Sequence, residues 1–195
     1  AKRFPQRWME RREPMSFAKV LNLSALLFGV LTAALYGLYR MVPSGALEAC
    51  AITAGTFFYH LAMRLLVGAV VPPMIPQGAE NNGWFRQKGW EPGLYKALRV
   101  KKWKNRMPTY NPDSFNPQKR TWAEILHSGC TAEAGHEVIM LLSFAPVLTV
   151  PAFGAAGVFW ITSILAAMMD GCFAVMQRFN RPRIQKLMEK ERGHR

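Results

Sequence analysis

Charge falls along this chain in blocks, and that distribution limits its folds more than any motif does. No Asp, Glu, Lys, Arg or His occurs from Val138 to Met169, and two further runs, Phe17 to Tyr39 and Leu47 to about Val71, are nearly as apolar. The first of these has 23 residues. As a helix it measures about 35 Å, enough to cross a bilayer with some tilt. It also exceeds the usual apolar core of a signal peptide, which the basic residues before it would otherwise suggest. The run from 138 to 169, about 48 Å as a helix, is too long for one comfortable span and barely long enough for two. Pro146, Pro151, Gly154 and Gly157 divide it, with a tight turn around Pro151 to Gly157. The pattern predicts an all-α integral membrane protein, a single membrane domain over 1–195. It has four transmembrane helices at 17–39, 47–71, 131–150 and 158–176, with a cytoplasmic interfacial segment, 72–130, between spans 2 and 3. A basic arm, 1–16, precedes the first span and a basic tail, 177–195, follows the last.

The chain carries 25 Lys and Arg against 12 Asp and Glu, a net charge of +13. Of those 25 cations, 23 lie before residue 20, between 72 and 130, or from Arg178 onward. With four spans these share one side, which predicts a multi-pass protein of the cell membrane with both termini cytoplasmic. The net charge then means basic segments against an anionic leaflet or an anionic substrate. Rings and cations alternate closely from Trp84 to Arg106, as in segments that lie in the headgroup region. A single-stranded nucleic-acid platform mixes the same residue types, but no RNP-like motif is present, and no nucleic-acid partner is expected. Cys50, Cys130 and Cys172 show no CxxC or Cys/His ligand spacing and read as free packing thiols.

Within the apolar runs the ionisable residues are few. His60 and Arg64, four apart, share a face of the second span, by helical rise about 17 and 10 Å from its end at Pro72. Glu133, His136 and Glu137 stand beside the charge-free run, with Glu133 facing both others across one helical turn. Asp170 lies eight residues, about 12 Å, before Arg178. The four-span arrangement brings these six toward one level, where the natural partner of Arg64 is a carboxylate from another span, Asp170 or Glu137. One reading is a proton-transfer site; the other is a set of buried ion pairs that fixes helix registry. In the first, His136 is a general base for a hydroxyl nucleophile, with Glu133 or Asp170 orienting its ring.

Three stretches, taken together, resemble the glycosyl-4,4'-diaponeurosporenoate acyltransferase family of small bacterial membrane proteins. They are Trp84-Phe85-Arg86 leading to Val100-Lys101-Lys102-Trp103-Lys104, then Ala132-Glu133 with His136, and last Gln177-Arg178-Phe179-Asn180-Arg181-Pro182-Arg183. The last is the most specific, and order and spacing match over roughly residues 84 to 188. The chain departs from the family pattern at Ser128 and Thr131, in place of Glu and Arg, at Asp170 in place of Asn, and at Glu137 in place of an aromatic. The resemblance implies transfer of a fatty acyl group, from acyl-CoA as donor substrate and with no cofactor, to a hydroxyl of a glycosylated lipid or carotenoid. His136, Glu133, Glu137 and Asp170 are then the catalytic candidates. Substrate contacts fall to His60, Arg64, Lys101, Lys102, Trp103, Lys104, Gln177, Arg178, Asn180, Arg181 and Arg183, whose cations suit a diphosphate-bearing donor. The partners expected are the bilayer, the acyl donor and the lipid or carotenoid glycoside acceptor.

Two other functions compete with this one. His60, His136, Glu133, Glu137 and Asp170 carry N and O donors that would suit a metal-dependent membrane lipid enzyme, although no HxxxH or HExxH pair occurs and no metal site is assigned. A non-enzymatic assembly or binding subunit would use the same polar cluster only as structure. A short amphipathic helix after Pro182, carrying Ile184, Leu187 and Met188, is expected to lie on the membrane.

Overall fold

The computed structural model describes residues 16–193, so the basic arm, apart from Ser16, lies outside the described residues. In chain order the helices are α1 (Phe17–Met41), α2 (Gly45–Val70), α3 (Glu91–Ala97), α4 (Val100–Trp103), α5 (Trp122–Leu142), α6 (Val150–Phe153) and α7 (Ala156–Arg192). 3₁₀ turns lie between α2 and α3, α4 and α5, and α5 and α6, and there is no strand among the described residues. Four segments are long and apolar enough to cross a membrane: Phe17–Met41, Gly45–Met74, Trp122–Phe153 and Ala156–Glu191. The chain is the all-α, four-span membrane protein that its charge blocks predict. Its outward apolar side chains fit that reading, since Leu26 is 65% exposed on α1 and Leu165 61% on α7. Contiguous patches of this kind need an apolar partner, and on span-length helices that partner is lipid.

The helices form two hairpins, α1 on α2 and α5 on α7, with α2 joining them. A Cβ on Gly29 would stand 3.0 Å from the Phe58 ring, so α1 comes this close to α2 because position 29 has no side chain.

The third span begins nine residues before the expected 131. Thr121 and Glu124 form a capping box: the Glu124 N–H donates to Thr121 Oγ1 at 3.3 Å, and the Thr121 N–H donates to Glu124 Oε2 at 2.8 Å. The helix stops at Leu142 because Pro146, four residues on, has no N–H to offer the Leu142 carbonyl. Tyr59 on α2 supplies the missing donor, its hydroxyl giving a 2.8 Å hydrogen bond to that oxygen. The chain then continues as a 3₁₀ turn and α6, and Gly154, at φ +68°, reverses it into α7.

The end of the chain also differs from expectation. A separate helix on the membrane after Pro182 does not form; α7 runs through Pro182 for 37 residues. At 1.5 Å per residue that is about 55 Å, well beyond the bilayer's apolar core. Side-chain contacts on the turn before Pro182, described below, anchor the helix there, and it continues past the proline with the loss of one backbone hydrogen bond.

Candidate active site

Antiparallel packing of α5 on α7 decides which ionisable groups meet. His136 faces α7 at Phe173 and Asp170. Its ring stacks on Phe173, with centroids 4.7 Å apart and planes 9° apart, and its Nδ1 lies 2.9 Å from Asp170 Oδ1. An ionised carboxylate only accepts, so Nδ1 donates in this bond and leaves Nε2 as the nitrogen on which a neutral ring carries its lone pair. Asp170 is almost fully buried, and its other oxygen, Oδ2, pairs with Arg64 from α2. Arg64 also donates to the His60 carbonyl at 2.7 Å, which fixes the guanidinium along its own helix. Three spans therefore contribute one linked chain, Arg64–Asp170–His136. The guanidinium compensates a carboxylate that would be costly to bury alone.

This chain opens on a cavity of about 740 Å³ lined by α2, α5, α7, the start of α1 and the loop through Tyr110 and Asn111. Arg64, His136, Asp170, Phe173 and Gln177 all line it. Its polar lining includes Asn111, Ser114, His127, Ser128 and Thr131, and its apolar lining includes Val67, Ile139 and Met169. Ser128, Thr131 and Asp170 all stand on this wall.

A second ionic cluster fastens the interfacial segment to the same helix pair. Glu133 is fully buried, with Arg181 on Oε2 and Arg178 Nε 3.0 Å from Oε1. Arg181 also donates to the Phe85 carbonyl at 2.6 Å, and Arg178 to the Trp84 carbonyl. Glu91, 3.7 Å from Arg178, accepts from the Tyr95 hydroxyl at 2.7 Å. Burial, then the hydrogen bond to Glu91, pushes the Tyr95 hydroxyl's pKa up. The Tyr95 ring meets Phe179 edge-on at 5.3 Å. Lys104 donates to Asn180 at 2.7 Å and sits 5.0 Å from the Phe179 ring centroid; burial, then Arg183 and Lys101, lower its pKa. Glu137 accepts from Trp84 Nε1 at 2.8 Å.

The six residues expected at one level thus divide. Arg64, Asp170 and His136 form one group, Glu133 and Glu137 belong to the fastening of residues 84–104, and His60 is buried in α2 with neither ring nitrogen hydrogen-bonded. Asp170, not Glu133, is the carboxylate hydrogen-bonded to His136. Of the candidate substrate contacts, Lys101, Lys102 and Arg183 are exposed, whereas Trp103 donates to the Leu98 carbonyl at 3.0 Å. The donors considered for a metal are dispersed in the same way, and no group of three His, Cys, Asp or Glu is placed to hold an ion among the described residues.

Sequence reasoning passed over Glu91, Tyr95 and His127. His127, Thr131 and Gly135 recur at four-residue spacing beside Ser128, Ala132 and His136, a stripe of small and polar residues along an otherwise apolar helix. That stripe was the available signal for the cavity wall.

Among known proteins, the family model described as glycosyl-4,4'-diaponeurosporenoate acyltransferase matches residues 81–190, more than half of the chain. No curated protein and no solved structure matches it.

Proposed function

The chain belongs to the glycosyl-4,4'-diaponeurosporenoate acyltransferase family, and from that premise we propose that its cavity moves a fatty acyl group from acyl-CoA to a hydroxyl of a glycosylated lipid or carotenoid. The observation that carries the reading is the hydrogen bond from His136 to Asp170, with the ring's other nitrogen on a cavity large enough for a lipid headgroup and part of its chain. As the acceptor oxygen attacks the thioester carbonyl, its proton passes to His136 Nε2. Asp170 holds the ring in place and offsets the imidazolium charge. The new C–O bond forms, the C–S bond breaks, and the imidazolium returns the proton to the departing thiolate. Arg64 Nε–H is buried and has no partner, and it offers a donor for the charge that develops on the carbonyl oxygen.

The acyl chains lie along the apolar wall, open toward lipid. The CoA phosphates sit outside the cavity on the exposed cations Lys101, Lys102 and Arg183. With 23 of the 25 Lys and Arg in the segments that four spans place together, that face and both termini are cytoplasmic, in the cell membrane. Comparing lipids and pigments of cells with and without the chain tests the function. An acylated glycoside lost on deletion and regained with the wild-type gene supports it; an unchanged acylated pool contradicts it.

A further inference from the structure

We propose that the end of the cavity nearest the start of α5 is a subsite for an uncharged polyol headgroup, the sugar of the acceptor, held by His127 and Thr131. The inference takes the reaction from the acyl-transfer reading, but its observations are separate ones. His127 Nδ1 and Thr131 Oγ1 are buried without a hydrogen-bond partner, and both residues line the cavity. Native structures seldom leave such atoms unpaired unless a ligand or water meets them. The two residues are four apart, on one face of α5. Thr131 precedes His136 by five residues, about 7.5 Å of helical rise, and both line the cavity.

The neighbouring groups select a neutral ligand. Asn111, Ser114 and Ser128 add an amide and two hydroxyls to the cavity lining. Among the described residues lining the cavity the only Lys or Arg is Arg64, whose charge Asp170 balances and whose remaining Nε–H the acyl-transfer reading assigns to the thioester carbonyl. A phosphate or carboxylate buried here would find no free cation. Sugar hydroxyls both donate and accept, so they satisfy an imidazole nitrogen, a threonine hydroxyl and an amide in either role. With Val67, Ile139 and Met169 toward the other end, the cavity suits an amphipath with a neutral head and an apolar tail.

Full-length protein in lipid nanodiscs, incubated without acyl donor, is assayed for equilibrium binding of radiolabelled dodecyl β-glucoside, dodecanol and dodecyl phosphate. The wild type is expected to bind the glucoside most tightly. Thr131→Val and His127→Phe should each weaken glucoside binding roughly three- to tenfold and leave dodecanol unaffected, the size expected for one lost neutral hydrogen bond. Thr131→Val is isosteric and carries the test alone if His127→Phe does not fold. Equal losses for glucoside and dodecanol, or tighter binding of the phosphate, would overturn the proposal. Because no donor is present, a protein that binds the glucoside in this pattern yet transfers no acyl group keeps the subsite and rejects the reaction. One that acylates glucosides while ignoring both substitutions rejects the subsite alone.

Discussion

Asp170 and His136, 34 residues apart on α7 and α5, meet at 2.9 Å, and the carboxylate oxygen not used by the histidine is held by Arg64 from α2. The pair is therefore a junction of three spans as well as a candidate catalytic dyad, and its two roles separate by mutation.

Removing Arg64 leaves the buried Asp170 carboxylate without its cation. Arg64→Gln is expected to destabilise the fold by about 3–5 kcal/mol, and Arg64→Gln with Asp170→Asn by clearly less, because the double variant buries no charge. Unfolding in a fixed mixed-micelle system measures both. Equal stability of the single variant and the wild type would show that the pair contributes nothing.

Glu133 is expected to matter for docking of residues 84–104 more than for chemistry. Glu133→Gln leaves Arg178 and Arg181 facing a neutral amide, which should loosen the carbonyl contacts at Trp84 and Phe85 and raise hydrogen exchange over that stretch. Turnover per folded molecule should stay within a few-fold of the wild type. A loss as deep as that of His136→Gln, with exchange unchanged, would return Glu133 to the chemistry.

The Tyr59 hydroxyl replaces the donor that Pro146 cannot supply to Leu142. Tyr59→Phe should cost about 1 kcal/mol, somewhat more if no water reaches the freed carbonyl. An unchanged melting temperature for Tyr59→Phe would mean that the oxygen finds another partner.

Much of the fold was legible in the sequence, because bilayer thickness converts charge-free length directly into span count. The start of α5 was legible too, in Thr121-Trp-Ala-Glu124, but a reading led by hydropathy begins a span where charge ends and so passes over a capping box. The site was only partly legible. Spacing on one helix puts Glu133 beside His136, yet each side chain's partner depends on the register of α5 against α7. That register gives Glu133 to Arg181 and His136 to Asp170. The continuation of α7 through Pro182 was not legible either: local propensity favours a break at proline, and the anchoring of Arg178 and Arg181 just before it depends on that same register.

The proposed topology rests on the basic segments before α1, between α2 and α5, and at the end of α7. Single cysteines placed at Ser114 and at Ser44, in a chain with Cys50, Cys130 and Cys172 replaced, should differ in labelling by an impermeant maleimide applied to intact cells. Ser44→Cys should label and Ser114→Cys should stay protected until the membrane is opened. The reverse pattern would invert the orientation.

In the proposed reaction His136, held by Asp170, moves the proton in acyl transfer. Gln at position 136 preserves size and a hydrogen bond to Asp170 but cannot accept and return a proton at Nε2. The decisive measurement is acyl transfer per folded molecule for His136→Gln beside Glu133→Gln, in the same membranes with the same donor and glycoside acceptor. His136→Gln is expected to lose on the order of 10²-fold or more in turnover, with KM for both substrates little changed. Near-normal turnover in that variant would contradict it.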